Sequence, residues 1–116
     1  YLKFCRMLIN GGKFKGQRVL KKKTVDLMKI NRVGSTYSRK NQGFGYGFAI
    51  EYDEFSDEQE KAQSLYWGGY FNTRFFIDFK KNIIAIWMTQ KLPNYSYEGY
   101  HQVLKKNVYD AIIDVE

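Results

Sequence analysis

A single cysteine, a single histidine and the absence of any apolar run near the roughly 18 residues of a membrane-crossing helix mark this chain. Cys5 alone can neither close an internal disulfide nor found a cysteine-based metal site. His101, with no second histidine or neighbouring cysteine, cannot form a zinc site by the usual ligand spacings. It falls on or beside the apolar stripe of the last predicted helix, one turn before Lys105, so a structural histidine is expected ahead of a catalytic one. The carboxylates Asp53, Glu54, Asp57, Glu58 and Glu60 form a solvated run rather than a focused pair. No metal and no cofactor are expected. No charged-then-apolar leader precedes Tyr1, and the chain enters directly on the amphipathic spacing Leu2, Cys5, Leu8, Ile9. The expectation is a piece of a longer protein, with any targeting signal upstream and the compartment left open.

Aromatic residues are what the chain has in excess: ten tyrosines, nine phenylalanines and two tryptophans bring the aromatic share to 18%. That suits either a sheet-rich core or a surface that stacks flat ligands. The net charge is +7, with basic residues gathered in "KFKGQRVLKKK" (13–23) and again at Lys80, Lys81, Lys105 and Lys106. Such a patch can draw nucleic acid or anionic lipid, although lysines around turns ordinarily serve solubility.

The first helix is expected to stop at Asn10-Gly11-Gly12, and a loop through "QRVL" leads to a second helix of about ten residues, with Val25, Leu27, Met28 and Val33 as its apolar stripe. "GFGYGFAIEY" (43–52) alternates with period two, which predicts one strand with Phe44, Tyr46, Phe48 and Ile50 on one face and a close neighbour against the glycines. Residues 53–63 read as a solvent loop. "TRFFIDF" (73–79), a turn at Lys80-Lys81-Asn82, and "IIAIWMTQ" (83–90) predict an antiparallel hairpin. Its second arm, apolar almost throughout, is expected to be covered on both faces, while the first alternates. A closing helix follows, with Tyr97, Tyr100, Leu104, Val108, Ala111 and Ile112 as its stripe and Ser96 as its cap. The fold class expected is α+β: an antiparallel sheet with flanking helices.

Two glycine motifs invite a function. Gly43, Gly45 and Gly47 lack the G-x-G-x-x-G spacing and no helix follows to receive a phosphate, so nucleotide binding is not expected. "QGFGYGFA" departs from the RNA-recognition octamer at three of its eight places, and nucleic acid is not expected as a partner on that count. The second motif is "YWGGYFNTRFF" (66–76), where paired glycines interrupt a strand. Glycine inside a strand marks a bulge, a bend or a close approach by a ligand or another backbone.

The run "YWGGYFNTRFFID", with "GFGYGF", "FCRMLINGGKFKGQRVL" and "KTVDLMKINRV" before it and "IIAIWMTQ" after it, resembles the C-terminal portion of the serine β-lactamase-like family. That family includes class C β-lactamases, related esterases and penicillin-binding-protein-like hydrolases. The resemblance covers roughly residues 1–113 and is specific as an ensemble. It implies a partial β-lactamase/transpeptidase-like fold and a serine acyl-transfer mechanism built from Ser-x-x-Lys, Tyr-x-Asn and Lys-Thr-Gly or their equivalents. Trp67-Gly68-Gly69 matches the third motif, in a variant found among esterase-like members. By the resemblance these residues bind substrate, and the Tyr70 backbone N–H helps form the oxyanion hole. The glycines would then clear room for an acyl group; the alternative is that they merely permit a bend or close packing.

The sequence departs from the family in two ways. Tyr70 and Asn72 stand where many relatives have small residues or glycine. More seriously, none of Ser35, Ser38, Ser56, Ser64 or Ser96 has lysine three residues later, so the nucleophile motif is missing. Tyr70-Phe71-Asn72 spells Tyr-x-Asn, but in the family that motif lies far upstream of the third. The expectation is a single domain, 1–116, forming the C-terminal fragment of a larger hydrolase. Its partners would be an acyl substrate of the intact parent (a β-lactam, a small ester or a D-amino-acid peptide) and the missing N-terminal part of the fold. A homodimer through exposed sheet edges is a further expectation. A periplasmic or secreted location follows if the parent keeps to its family. The alternative is a non-catalytic basic, aromatic module that binds RNA or another polyanion, with Phe44 and Tyr46 as its stacking residues.

Overall fold

A computed structural model describes residues 1–37, 41–52, 62–92 and 97–112, apart from the side chains of 97 and 98. Helix α1 (Leu2–Ile9) buries Cys5, Met7 and Leu8. It ends as its glycines require: the Gly11 N–H donates to Leu8 O at 2.9 Å and the Gly12 N–H to Met7 O at 2.9 Å, with Gly11 at φ +61°. This pair of bonds satisfies two orphan carbonyls of the last turn, a geometry that favours glycine. The predicted loop after it contains a small hairpin, β1 (Lys13–Phe14) and β2 (Gln17–Arg18). Lys15 and Gly16 form its tip, both at positive φ, as a two-residue turn with the twist of the flanking strands demands. Lysine is not the usual residue at the first such position, which hid the turn. Helix α2 (Lys22–Met28) is seven residues long rather than ten, buries Val25, and leaves Val33 outside.

The sheet is a five-stranded antiparallel meander in the order β3 (Gln42–Phe44), β4 (Ala49–Glu51), β5 (Ser64–Gly68), β6 (Arg74–Asp78), β7 (Ile83–Trp87). The stretch predicted as one strand, 43–52, is two strands with a turn between them, held by the Gly45 N–H donating to Phe48 O at 2.9 Å. The expected face therefore breaks up. Phe48 and Ile50 enter one core, Phe44 packs at the edge of the other, and Tyr46 is exposed beside Arg32. Close approach at the glycines does occur: a Cβ on Gly45 would lie 2.0 Å from Met28 O, and one on Gly43 2.7 Å from Asn31 Cγ. Gly47 faces open space and is needed for its φ of +80°.

The predicted hairpin is β6–β7, in the register Arg74↔Trp87 through Asp78↔Ile83. The burial expected for its arms is reversed. Every residue of β6 is buried, whereas β7 is only partly covered, because β6 lies between two strands and β7 is the last described strand of the sheet. Apolar content alone does not report a strand's place in the sheet. Burial of Asp78 is made tolerable by three donors: Gln63 Nε2 at 3.1 Å, Tyr109 Oη at 2.5 Å and the Lys81 N–H at 2.8 Å.

Alternation along the strands feeds two cores. Cys5, Leu8 and Val25 of the first helices meet Ile50, Leu65, Phe75 and Ile77 on one face. Ala49, Tyr66, Phe76 and Ala85 meet Leu104 of α3 (Tyr97–Asp110) on the other. The fold is α+β, with the sheet between helical layers. The stripe of α3 runs through His101, Leu104, Val108 and Tyr109 rather than on to Ala111 and Ile112, which are exposed. The expected cap Ser96 and the acidic run 53–61 lie outside the described residues.

Candidate active site

Strand β5 ends at Gly68, and a three-residue loop, Tyr70-Phe71-Asn72, turns the chain into β6. The loop is closed by the Gly69 N–H donating to Thr73 O at 2.9 Å and the Asn72 N–H to Gly69 O at 3.1 Å. Asn72 takes the left-handed position, φ +66°, which a hairpin loop of this length requires of its last residue. It is buried, and its Nδ2 donates to Lys91 O at 2.7 Å, tying the loop to the chain beyond β7.

Cross-strand register builds the floor beside this loop. Trp67 stands opposite Phe75, and Phe75 opposite Ile86, so one row of apolar side chains crosses three strands on the α1 face. Tyr1 and Met88 flank the row, and Gly68, Gly69, Thr73 and Arg74 complete a cavity of about 330 Å³. Phe44 meets the Trp67 ring edge-on at 5.1 Å between centroids, and Tyr1 meets Phe75 at 4.9 Å. These contacts hold the aromatic walls while leaving Trp67 37% exposed.

The glycines have a local explanation as well. A Cβ on Gly68 would lie 2.0 Å from Arg74 Nη1, and one on Gly69 2.3 Å from Thr73 Oγ1. The guanidinium of Arg74, only 2% exposed, thus lies across Gly68. It donates to Thr73 O at 2.9 Å, to Gly69 O at 3.3 Å and to Asn72 Oδ1 at 3.3 Å. The arginine knits the loop, and glycine at 68 is what lets it do so. Tyr70 projects into solvent, 77% exposed, and its backbone N–H has no acceptor among the described residues.

Of the residues expected at the site, Trp67, Gly68 and Gly69 line the cavity, whereas Tyr70, next in the chain, is not among its lining residues. Arg74, Phe75, Ile86 and Met88 were not anticipated there. The predicted hairpin places Arg74 opposite Trp87; its pairing with Gly68 across the loop at 70–72 was not expected, because the glycines read as an interruption within one strand.

His101 lies on the opposite face of the sheet. Its ring stacks on Tyr66 at 4.1 Å, and its Nε2 stands 4.0 Å from Glu51 Oε2. Burial raises the Glu51 carboxyl, but His101 and the Lys105 ammonium, 2.5 Å away, outweigh it and bring the pKa down to about 2. Ser64 Oγ donates to the same carboxylate at 3.2 Å. Burial, and then Asp78, push the Tyr109 phenol upward. This polar layer fastens α3 to the sheet and is separated from the cavity by the sheet itself.

No family model matches the chain, and no curated protein does. Among solved structures the chain is similar to EstCE1, "a hydrolase with promiscuous acyltransferase activity". The match has a TM-score of 0.69 and 25% identity, and it covers 90% of this chain and 27% of that one. The relationship is to a hydrolase. Helices, sheet and terminal helix together match part of that hydrolase's fold, and the chain spans about a quarter of its length.

Proposed function

We propose that the chain forms the sheet wall of a serine acyl hydrolase of β-lactamase-like type, a C-terminal part carrying the third motif but not the nucleophile. The observation that carries this reading is the placement of Trp67-Gly68-Gly69 along an apolar cavity, followed in the chain by the Tyr70 N–H, which has no acceptor among the described residues. The similarity to EstCE1 supports it. An acyl group lying along Gly68 and Gly69 would offer its carbonyl to the Tyr70 N–H, while Trp67, Phe75 and Ile86 cover its apolar part. Oxyanion stabilisation without a nucleophile and base gives little turnover, because the donor lowers a barrier that no group in this chain starts to climb. Serine and lysine at the Ser-x-x-Lys spacing would come from the remaining part of the fold.

On this reading the chain alone neither hydrolyses a chromogenic ester above the buffer rate nor takes up labelled penicillin. Stoichiometric labelling of one serine, seen as a mass shift on the intact chain, would sink it. The β7 edge and the cavity rim, with Met88 76% exposed, are where further parts of the fold would pack. Left uncovered they favour self-association, so the elution volume in gel filtration should fall with rising concentration. A concentration-independent monomer would count against that part of the reading.

A further inference from the structure

A second cavity, of about 390 Å³, opens at the far end of α1 and shares no lining residue with the first. Its walls come from two elements. Lys13 and Arg18 are cross-strand partners on the β1–β2 hairpin. Lys22, Asp26 and Lys29 follow at i, i+4 and i+7, one face of α2 and its C-terminal cap. Leu8, Ile9, Val25 and Phe79 make the floor. Four cations thus face a single carboxylate.

Asp26 is already shared. Lys22 Nζ lies 2.8 Å from its Oδ2 and Lys29 Nζ 3.4 Å from its Oδ1. The Lys29 side chain is tucked in, its ammonium 4.4 Å above the Phe79 ring, so it is no freely solvated surface lysine. Loop carbonyls that would repel an anion are taken: Arg18 Nη1 donates to Gly11 O at 3.2 Å and Leu20 O at 2.8 Å, and Gly12 O accepts from Val19 and Leu20. The surrounding sequence adds to the imbalance. Eight lysines or arginines and no acid precede Asp26, while residues 26–116 hold eleven basic and twelve acidic residues. The whole net positive charge of the chain therefore belongs to the segment that forms this cavity.

A concave surface with surplus cations against an apolar floor concentrates field lines and strengthens charge-assisted hydrogen bonds. We propose that this cavity binds a multiply charged phosphate-type oxyanion. A monovalent anion would leave most of the surplus charge unmatched; a di- or trivalent one balances Lys13, Arg18, Lys22 and Lys29 against Asp26 plus ligand. The site is independent of the acyl-binding reading.

The test is an amide NMR titration of the full chain with sodium pyrophosphate, ionic strength held constant with sodium chloride. Saturable shifts are expected within residues 11–18 and 22–29. The double variant Lys13→Gln/Lys22→Gln should weaken binding at least tenfold, and Asp26→Asn should tighten it. A control removing the same charge elsewhere, Lys91→Gln/Lys106→Gln, should change affinity less than twofold. Shifts that never saturate, equal weakening by both double variants, or binding to RNA without binding to pyrophosphate would overturn the proposal. Co-sedimentation with phosphatidic-acid vesicles, lost in Lys13→Gln/Lys22→Gln, would identify a lipid headgroup as the source of the phosphate; pyrophosphate binding without it would identify a soluble one.

Discussion

At the scale of single residues, Gly68 and Glu51 each carry a checkable consequence. A methyl group at 68 must push Arg74 away from the loop, breaking donations to two carbonyls and to Asn72. Gly68→Ala should therefore cost about 1–3 kcal/mol in urea unfolding, the usual size for buried polar groups losing partners. In an Arg74→Met background the same change should cost less, because the obstructing guanidinium is gone, and the double-mutant cycle would register the difference. Glu51 has a folded pKa near 2, below its ordinary value of 4.5. The sign follows from linkage: its contribution is complete above about pH 4.5 and is lost as pH falls through 4.5 towards 2. It amounts to about 3 kcal/mol at most. Stability measured between pH 6 and 2.5 should thus fall more steeply for the native chain than for Glu51→Gln; parallel curves would show that the Lys105 and His101 contacts are not felt.

At the scale of elements, the β6–β7 hairpin was legible because period-two alternation and the Lys80-Lys81-Asn82 turn agree on one register. That register places Phe75 opposite Ile86; the pairing of Trp67 with Phe75 depends on the loop at 70–72, where the sequence read as a strand interrupted by glycines. The stretch 43–52 misled for a physical reason. Alternating glycine and aromatic residues satisfy a strand pattern equally well when a turn intervenes, and the turn depends on Gly47 at positive φ, which the pattern does not encode. Burial of Arg74 and Asp78 was also hidden, since a charged residue enters a core only when partners meet it there: the adjoining loop supplies them for Arg74 through Asn72, and Gln63 and Tyr109, far off in sequence, for Asp78. The two-strand arrangement makes its own prediction. Gly45→Ala runs into the Met28 carbonyl and should cost about 2 kcal/mol or more, whereas Gly47→Ala meets open space and should cost only the roughly 1 kcal/mol of a positive φ. Equal losses in thermal or urea unfolding would argue for a continuous strand.

For the whole molecule, the family resemblance rested on several short runs in order, and the fold agrees with it to the extent of matching part of a hydrolase. What the sequence could not express was that the paired glycines serve two ends at once. Gly68 makes room for Arg74 and Gly69 for Thr73, and all four residues border the apolar cavity. Nor could it show that Lys13, Arg18 and Lys22 gather with Lys29 around one concavity. The central claim is that this chain presents an acyl-binding wall and oxyanion donor without the means of reaction. Its most direct test is an amide NMR titration with p-nitrophenyl butyrate, following the protein and p-nitrophenol release in one sample. The account predicts saturable shifts at Trp67, Gly68, Gly69 and Tyr70 with the ester left intact. Shifts confined to other parts of the chain, or consumption of the ester with one serine acylated, would contradict it.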